Sequence, residues 1–305
     1  MKSPILSFEH LSYKYADGTV ALKDINLSIN HGKKIALIGN NGAGKSTMFL
    51  LLNGIIKPTK GTVLYKGKML SYTRKEIREL RQQVGIVFQN PDSQLFSSSV
   101  YEDIKFGPKN LGLSPEKVKQ TVEDAMKLTE TESLKDKPPH FLSIGQKKRV
   151  AIAGIIAMNP EIMVLDEPTA GLDPYYSKKI MKLLDSIHHE SRTIILSTHN
   201  VDFAYEWADE VIVLNNGTIL SHGSPVEVFQ NVKAVRQSHL EQPWVMEVYD
   251  QLKELNDFQG VSYPKSKKEL LERMSLSFSC NKNYIMNKPC STYFHARLKG
   301  TRLFF

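Results

Sequence analysis

The chain has 305 residues, 41% of them hydrophobic and 24% charged, with a formal net charge of +8. That length suits one large domain with an extension, or two modest ones, and the composition is that of an ordinary globular chain. The longest apolar run, Val150–Met158, falls well short of the about 20 residues a membrane span needs. The start "MKSPILSFEHLSYKY" lacks the apolar core of a signal peptide. No unaided membrane crossing is expected, and the chain is expected to stay in the cytoplasm.

The charge is uneven. Residues 275–305 hold Lys282, Lys288, Arg297, Lys299 and Arg302 and no acid, so they carry +5 of the +8. Both cysteines, Cys280 and Cys290, lie there too. The body is cysteine-free, which excludes a disulfide framework and a thiolate metal site. The excess charge sits in the segment with the least regular pattern, so no nucleic-acid partner is expected.

In chain order, "ILSFEHLSYKY" and "ALKDINLSI" predict strands separated by a turn at "ADG". "KKIALIG" (Lys33–Gly39) is a short buried strand, and "NGAGKSTMFLLLNGII" changes to a helical pattern. "TRKE" (Thr73–Glu76) predicts a capping box, and "VGIVFQ" (Val84–Gln89) a buried strand. Ser114 with Pro115 opens a helix, and Ser143 opens the next. "IMVLDEP" is an apolar strand ending in acids. Asp173 and Pro174 predict a helix through about Glu190, and "TIILSTH" is a further strand. "SPVE" (Ser224–Glu227) is another capping box, and residues 236–274 read as helical, with "SKKELLERM" capped by Ser266 and Glu269. Strands alternating with helices predict a parallel sheet covered on both faces, with ligands beyond the carboxyl ends of its strands.

The residues with chemistry all fall at those ends. "GNNGAGKS" matches G-x-x-x-x-G-K-[ST] at every required position. Gly39 and Gly44 let the backbone curl round phosphate oxygens, Lys45 reaches the β- and γ-phosphates, and Ser46 offers a hydroxyl to Mg2+. Asp166 is suited to Mg2+, directly or through water. Glu167 beside it can polarise an attacking water, an effect worth ~10²–10⁴ in rate. His199 ends "TIILSTH" within prospective reach of a γ-phosphate, and Gln89 ends "VGIVFQ" with an amide that can bind Mg2+ or water. The stretch "LSIGQKKRV" (Leu142–Val150) is a second anion-binding element, a helix start with a capping Ser143 and a Gly in its first turn. Ser143 is equally a plain helix cap worth ~1 kcal/mol.

Together these motifs, over about residues 5–230, resemble the nucleotide-binding subunit of an ATP-binding cassette (ABC) transporter. The resemblance implies an α/β P-loop NTPase fold of ABC type, with an antiparallel β subdomain, a RecA-like core, an α-helical subdomain (about 90–158) and a short C-terminal helical extension. It divides the chain into a nucleotide-binding domain (1–235), the extension (236–274) and an irregular basic tail (275–305). It implies ATP and Mg2+ as cofactors. Gly39, Asn40, Asn41, Gly42, Ala43, Gly44, Lys45, Ser46 and Thr47 correspond to the Walker A loop, and Ile162–Glu167 to Walker B. Gln89 corresponds to the Q-loop, "AGLD" (Ala170–Asp173) to the D-loop and His199 to the switch histidine. Mg2+ falls to Ser46, Gln89 and Asp166, and catalysis to Glu167, His199 and Lys45. Tyr15 sits where the family stacks an aromatic on adenine, with Tyr13 an open alternative that strand alternation would point the same way. "LSIGQ" is similar to the family signature, usually Leu-Ser-Gly-Gly-Gln, which closes over ATP held by an opposite subunit. Ser143, Gly145 and Gln146 are therefore expected to act in trans. Ile144 departs from the pattern, and its β-branch narrows the backbone choices there, predicting slower or weaker closure.

"FQNPDSQLFSSSVYEDIKFG" (Phe88–Gly107), "KKRVAIAGIIAM" and "DEPTAGLDP" resemble the energy-coupling-factor importers, which take up cobalt, nickel or vitamins. That implies a peripheral ATPase on the cytoplasmic face of the cell membrane. Its partners would be a second cassette, identical or related, an integral membrane coupling subunit seated near Gln89–Phe96, and a substrate-binding membrane subunit. The tail departs from the acidic helical extension of that group; a shifted reading frame near codon 275 and a basic-aromatic membrane-surface anchor both fit it. Two other readings compete. A cytosolic ABC ATPase usually carries a coiled-coil insertion or tandem cassettes, and a small-molecule kinase would not account for "LSIGQ" ahead of "IMVLDEP".

Overall fold

The computed structural model describes residues 4–254 and 262–275. The chain divides into two compact units between Gln242 and Pro243. Within the first, β1 (Leu6–Lys14) and β2 (Val20–Ile29) form the expected antiparallel pair. Next come β3 (Lys34–Ile38), the glycine loop and α1 (Lys45–Leu52), then β4 (Lys60–Tyr65) and the two-residue β5 (Lys68–Met69). These strands make a four-stranded antiparallel sheet in the order β2-β1-β4-β5. Bulges interrupt the β1–β2 register between Leu11 and Tyr13 and between Tyr13 and Lys14. They break the alternation along β1: Tyr13 packs against the core, whereas Tyr15, just past the strand, lines the glycine-loop cavity.

The helix α2 (Arg74–Gln83) is capped by Thr73, whose hydroxyl accepts from Glu76 N–H. The expected box is only half made, because the Glu76 carboxylate accepts from the N–H and hydroxyl of Ser71 instead. After β6 (Val84–Val87), three helices pack on one another: α3 (Val100–Asn110), α4 (Pro115–Leu128) and α5 (Ile144–Met158). The chain then returns to the sheet with β7 (Ile162–Leu165), α6 (Pro174–Ile187), β8 (Thr193–Thr198), α7 (Val201–Trp207), β9 (Glu210–Asn215) and β10 (Thr218–Gly223). α6 stops three residues before the expected Glu190, where His189 pairs with Arg192 in a tight antiparallel bridge.

The second sheet runs β10-β9-β3-β8-β7-β6. It is parallel from β9 to β6, with β10 added antiparallel at the edge. Every residue of β6, β7 and β8 is buried, which accounts for the apolar residues that follow one another along them without alternation. One core joins the two sheets through α1: Phe8, Leu22 and Val63 from the first and Leu37, Val164 and Ile212 from the second meet Met48, Phe49 and Leu52. Because β3, β8, β7 and β6 are neighbours and parallel, the residues following them all emerge at one edge.

The helices α8 (Pro225–Gln230) and α9 (Val232–Gln237) close this unit, and the capping box of Ser224 and Glu227 is complete. α9 runs through the boundary expected after residue 235. The second unit holds α10 (Trp244–Glu254) and a helix over residues 267–275. The helical reading of 236–274 resolves into separate pieces: the chain leaves helical geometry after Gln237 and again at 262–266, with Pro243 and Pro264 in those two stretches, and the Ser266 hydroxyl accepts from Glu269 N–H as the cap expected there. The tail reading, with its frameshift or anchor alternatives, lies outside the described residues.

Candidate functional site

The loop after β3 is forced by its glycines. Gly39, Gly42 and Gly44 have φ of 152°, 78° and 108°, a region side-chain-bearing residues avoid. A Cβ at Gly39 would stand 2.1 Å from the Leu214 carbonyl oxygen, and one at Gly44 would stand 2.7 Å from that of Ala21. Gly44 also caps α1, so the first N–H groups of that helix face the loop's hollow, where the helix dipole favours an anion. Ala43 is buried, donates to the Asn40 carbonyl and accepts from Gly217 N–H, which ties the loop to the β9–β10 turn.

Lys45 is only 7% exposed. Its ammonium donates to the carbonyls of Gly39 (2.6 Å) and Asn40 (3.1 Å) and lies 4.0 Å from the Glu167 carboxylate. Burial lowers its pKa, and the Glu167 and Asp166 carboxylates oppose that shift. The Ser46 hydroxyl donates to one Asp166 oxygen at 2.5 Å, and the Ser197 hydroxyl donates to the other at 2.5 Å. Ser197 also accepts from the Glu167 N–H at 2.8 Å. Glu167 has φ of 44°, left-handed for a residue with a Cβ, at a cost of order 1–3 kcal/mol. Its carboxylate is 3.5 Å from Nδ1 of His199.

A cavity of about 570 Å³ collects Tyr15, Asn40, Asn41, Gly42, Gly44, Lys45, Ser46, Thr47, Gln89, Asp166 and Glu167. The Tyr15 hydroxyl shares a 2.8 Å hydrogen bond with Thr47, and its ring meets Tyr13 edge-on. His199 lines the neighbouring groove of about 810 Å³ with Thr198 and Ala170, and reaches the first site only through Glu167. Ser143, Gly145, Gln146 and Asp173 do not line the loop cavity. The Ser143 hydroxyl accepts from Gln146 N–H while the Gln146 side chain accepts from Ser143 N–H, a complete capping box. Ile144 between them is 55% exposed. Asp173 caps α6 by accepting from Tyr176 N–H.

Two residues at this edge escaped sequence reasoning. Ser197 is fully buried in β8 and holds both Walker B acids in place. Lys148, in the second turn of α5, is 3% exposed and donates to the carbonyls of Glu167 (2.9 Å) and Ala170 (2.7 Å). Burial pulls its pKa down to about 8, against the attraction of Glu167 and Asp166. Both left a signal: a hydroxyl directly after the apolar run Ile194–Leu196, and a lysine three and four residues ahead of buried Ala151 and Ile152 on one helix face.

A family model described as "ABC transporter" matches residues 22–170. The chain is 53% identical over 241 residues to "Energy-coupling factor transporter ATP-binding protein EcfA" of Methanocaldococcus jannaschii, covering 79% of this chain and 86% of that one. It is 47% identical over 270 residues to a "Putative ABC transporter ATP-binding protein" of Methanosarcina mazei, covering 88% of this chain but 60% of that relative's length. Among solved structures, cbiO1 from Clostridium perfringens, described as part of the ABC transporter complex cbiONQ, superposes with a TM-score of 0.69. It is 46% identical, over 81% of this chain and 99% of that one. The ATP-binding cassette MJ0796, solved as a dimer in a post-hydrolysis state with ADP and Pi, gives a TM-score of 0.67 at 28% identity, over 72% and 98% of the two chains. A nucleotide loop, paired acids and a signature helix on this sheet, with relatives this similar, settle the matter: the chain belongs to the ABC transporter ATPases, among the energy-coupling factor transporter ATP-binding proteins.

Proposed function

We propose that this chain is the ATP-hydrolysing motor of an energy-coupling-factor importer, working as one of two cassettes that close over two nucleotides. The observation carrying this reading is the meeting of Lys45, Ser46, Asp166 and Glu167 in one cavity at the carboxyl edge of the parallel sheet. Lys45 and the α1 N-terminus neutralise phosphate charge. The Ser46 hydroxyl and Asp166 carboxylate are hard oxygen donors already 2.5 Å apart, a set that fits Mg2+, with Gln89 on the rim of the same cavity. Among the described residues no three His, Cys, Asp or Glu side chains gather as a metal cage, in keeping with a cation shared with phosphate oxygens. Bound there, Mg2+ would supply charge neutralisation at the phosphates. Glu167 orients the attacking water and takes its proton, and His199 beside it senses the γ-phosphate. Tyr15 offers its ring to adenine. Ser143, Gly145, Gln146 and Asp173 serve the nucleotide of the opposite cassette.

Among the described residues no helix is long and apolar enough to cross a membrane. Membrane partners then transmit the closure. Phe96 and Phe106 are 68% and 50% exposed and stack edge-on, and an apolar groove of about 520 Å³ lies between Ile77, Phe106, Leu111 and Met158. It suits a helix of the coupling subunit. The cargo is a metal ion, cobalt or nickel, or a vitamin, carried by the membrane subunits at the cytoplasmic face.

Glu167→Gln is the test. The variant should bind ATP, stay in a closed dimer by size-exclusion chromatography with Mg-ATP, and turn over ~10²–10⁴-fold more slowly. Undiminished hydrolysis would overturn the role of Glu167.

A further inference from the structure

We propose that Lys148 is a positioning residue that links the two nucleotide sites, by tying the signature helix of each cassette to that cassette's own Glu167. The inference rests on the two-cassette reading above and deepens it.

The geometry makes a single lever of α5. Its first turn presents Ser143 and Gly145, the residues offered to the opposite nucleotide. One turn on, the Lys148 ammonium reaches out of the helical layer to the carbonyls of Glu167 and Ala170. Lys148 is a charged group buried to 3% exposure, held by two peptide carbonyls and no carboxylate hydrogen bond. Such a group is retained only where the carbonyls it needs are kept in place.

What it holds is the least relaxed peptide of the site. Glu167 has a left-handed backbone, its N–H bound by Ser197 and its carbonyl shared by Lys148 and the Ala170 N–H, whose own carbonyl Lys148 also holds. The Ser197 clamp belongs to the sheet; the Lys148 clamp belongs to α5. A shift of α5 therefore pulls on one side of Glu167 while the other stays fixed, turning the carboxylate relative to Lys45 and His199. The second carbonyl, Ala170, begins the D-loop stretch, and Leu172 within it lies 3.4 Å from where a Cβ on Gly145 would sit. The start of α5, the D-loop and Glu167 thus form one contiguous contact set. ATP engaged by one cassette's signature helix sets the hydrolytic carboxylate of that same cassette, which acts on the other ATP.

The experiment uses the full chain in its assembled dimer. Lys148→Met keeps the length and loses the donors. It should bind a fluorescent ATP analogue within about twofold of the unaltered protein, while kcat falls about tenfold or more. The Hill coefficient for ATP should fall toward 1 as the coupling is lost. Lys148→Gln, whose amide can donate to the same carbonyls, should recover a large part of both. An unchanged kcat and Hill coefficient in folded Lys148→Met overturns the proposal. If that variant does not fold, hydrogen exchange decides: in Glu167→Gln, Mg-ATP closure should slow the amides of 167–171, and unchanged exchange there in a formed dimer overturns it. Failure of the dimer to form at all would instead sink the two-cassette reading, so the two failures are distinct.

Discussion

The two turns proposed to bind phosphate are built by opposite means. The loop at Gly39–Thr47 is locked by the fold: its glycines hold backbone angles closed to other residues, and at Gly39 and Gly44 neighbouring carbonyls leave no room for a Cβ. The start of α5 is an ordinary capped helix. Gly145 has no positive φ, and a Cβ there would meet only Leu172 at ordinary contact distance. One turn is specified by what surrounds it in its own chain. The other is left plain on the surface, which suits the proposed role in which an opposite cassette completes it.

The sharpest break of this contrast comes from adding one methyl to each. Gly44→Ala should lose roughly 2–4 kcal/mol of stability, from left-handed strain and the clash with Ala21, and lose ATP binding with it. Gly145→Ala should melt within about 1 kcal/mol of the unaltered chain, since alanine is the better helix former, yet hydrolyse far more slowly because the methyl crowds the opposite triphosphate. Thermal melts and turnover on both variants check this; equal destabilisation would erase the distinction.

A smaller effect is expected at Ser197. Ser197→Ala strands a buried Asp166 oxygen and the Glu167 N–H, costing about 1–3 kcal/mol. Turnover should drop with it, and Ser197→Thr, which restores the hydroxyl, should recover part of both in the same assays.

The smallest effect is in pH. Lys148 titrates near 8, against a usual lysine value of 10.5. Above pH 8 the native state releases a proton that the unfolded chain still holds, so this group's contribution to stability rises with pH up to about 10.5. Its hold on the Glu167 and Ala170 carbonyls weakens over the same window, facing the Asp166 and Glu167 carboxylates. Turnover should therefore decline through pH 8 without a matching fall in melting temperature, and Lys148→Met should show no such step. A rate profile paired with melts at each pH reads this directly.

Much of the sheet was legible because its strands are buried on both faces and read as apolar runs: β3, β7 and β8 stand where "KIALI", "IMVL" and "TIILST" predict them. The phosphate loop was legible because its requirements are local. Features set by distant partners were not. That Tyr15 lines the loop cavity while Tyr13 packs on the core depends on bulges against β2 that no alternation rule anticipates. Ser197 and Lys148 take their meaning from residues 31 and 19 positions away. The helices after residue 236 are a mixed case: the local cap at Ser266 and Glu269 was legible and stands, whereas the interruption around Pro243 was not read.

The posture of Lys45 has one more consequence. Its ammonium already has two acceptors, the carbonyls of Gly39 and Asn40. Its third N–H is left for a guest, and on a buried ammonium that donor favours anionic oxygens over the neutral oxygens of a sugar or a base. The loop thus screens visitors by charge density before shape is consulted, and a nucleoside lacking its phosphate tail would leave that lysine where it is.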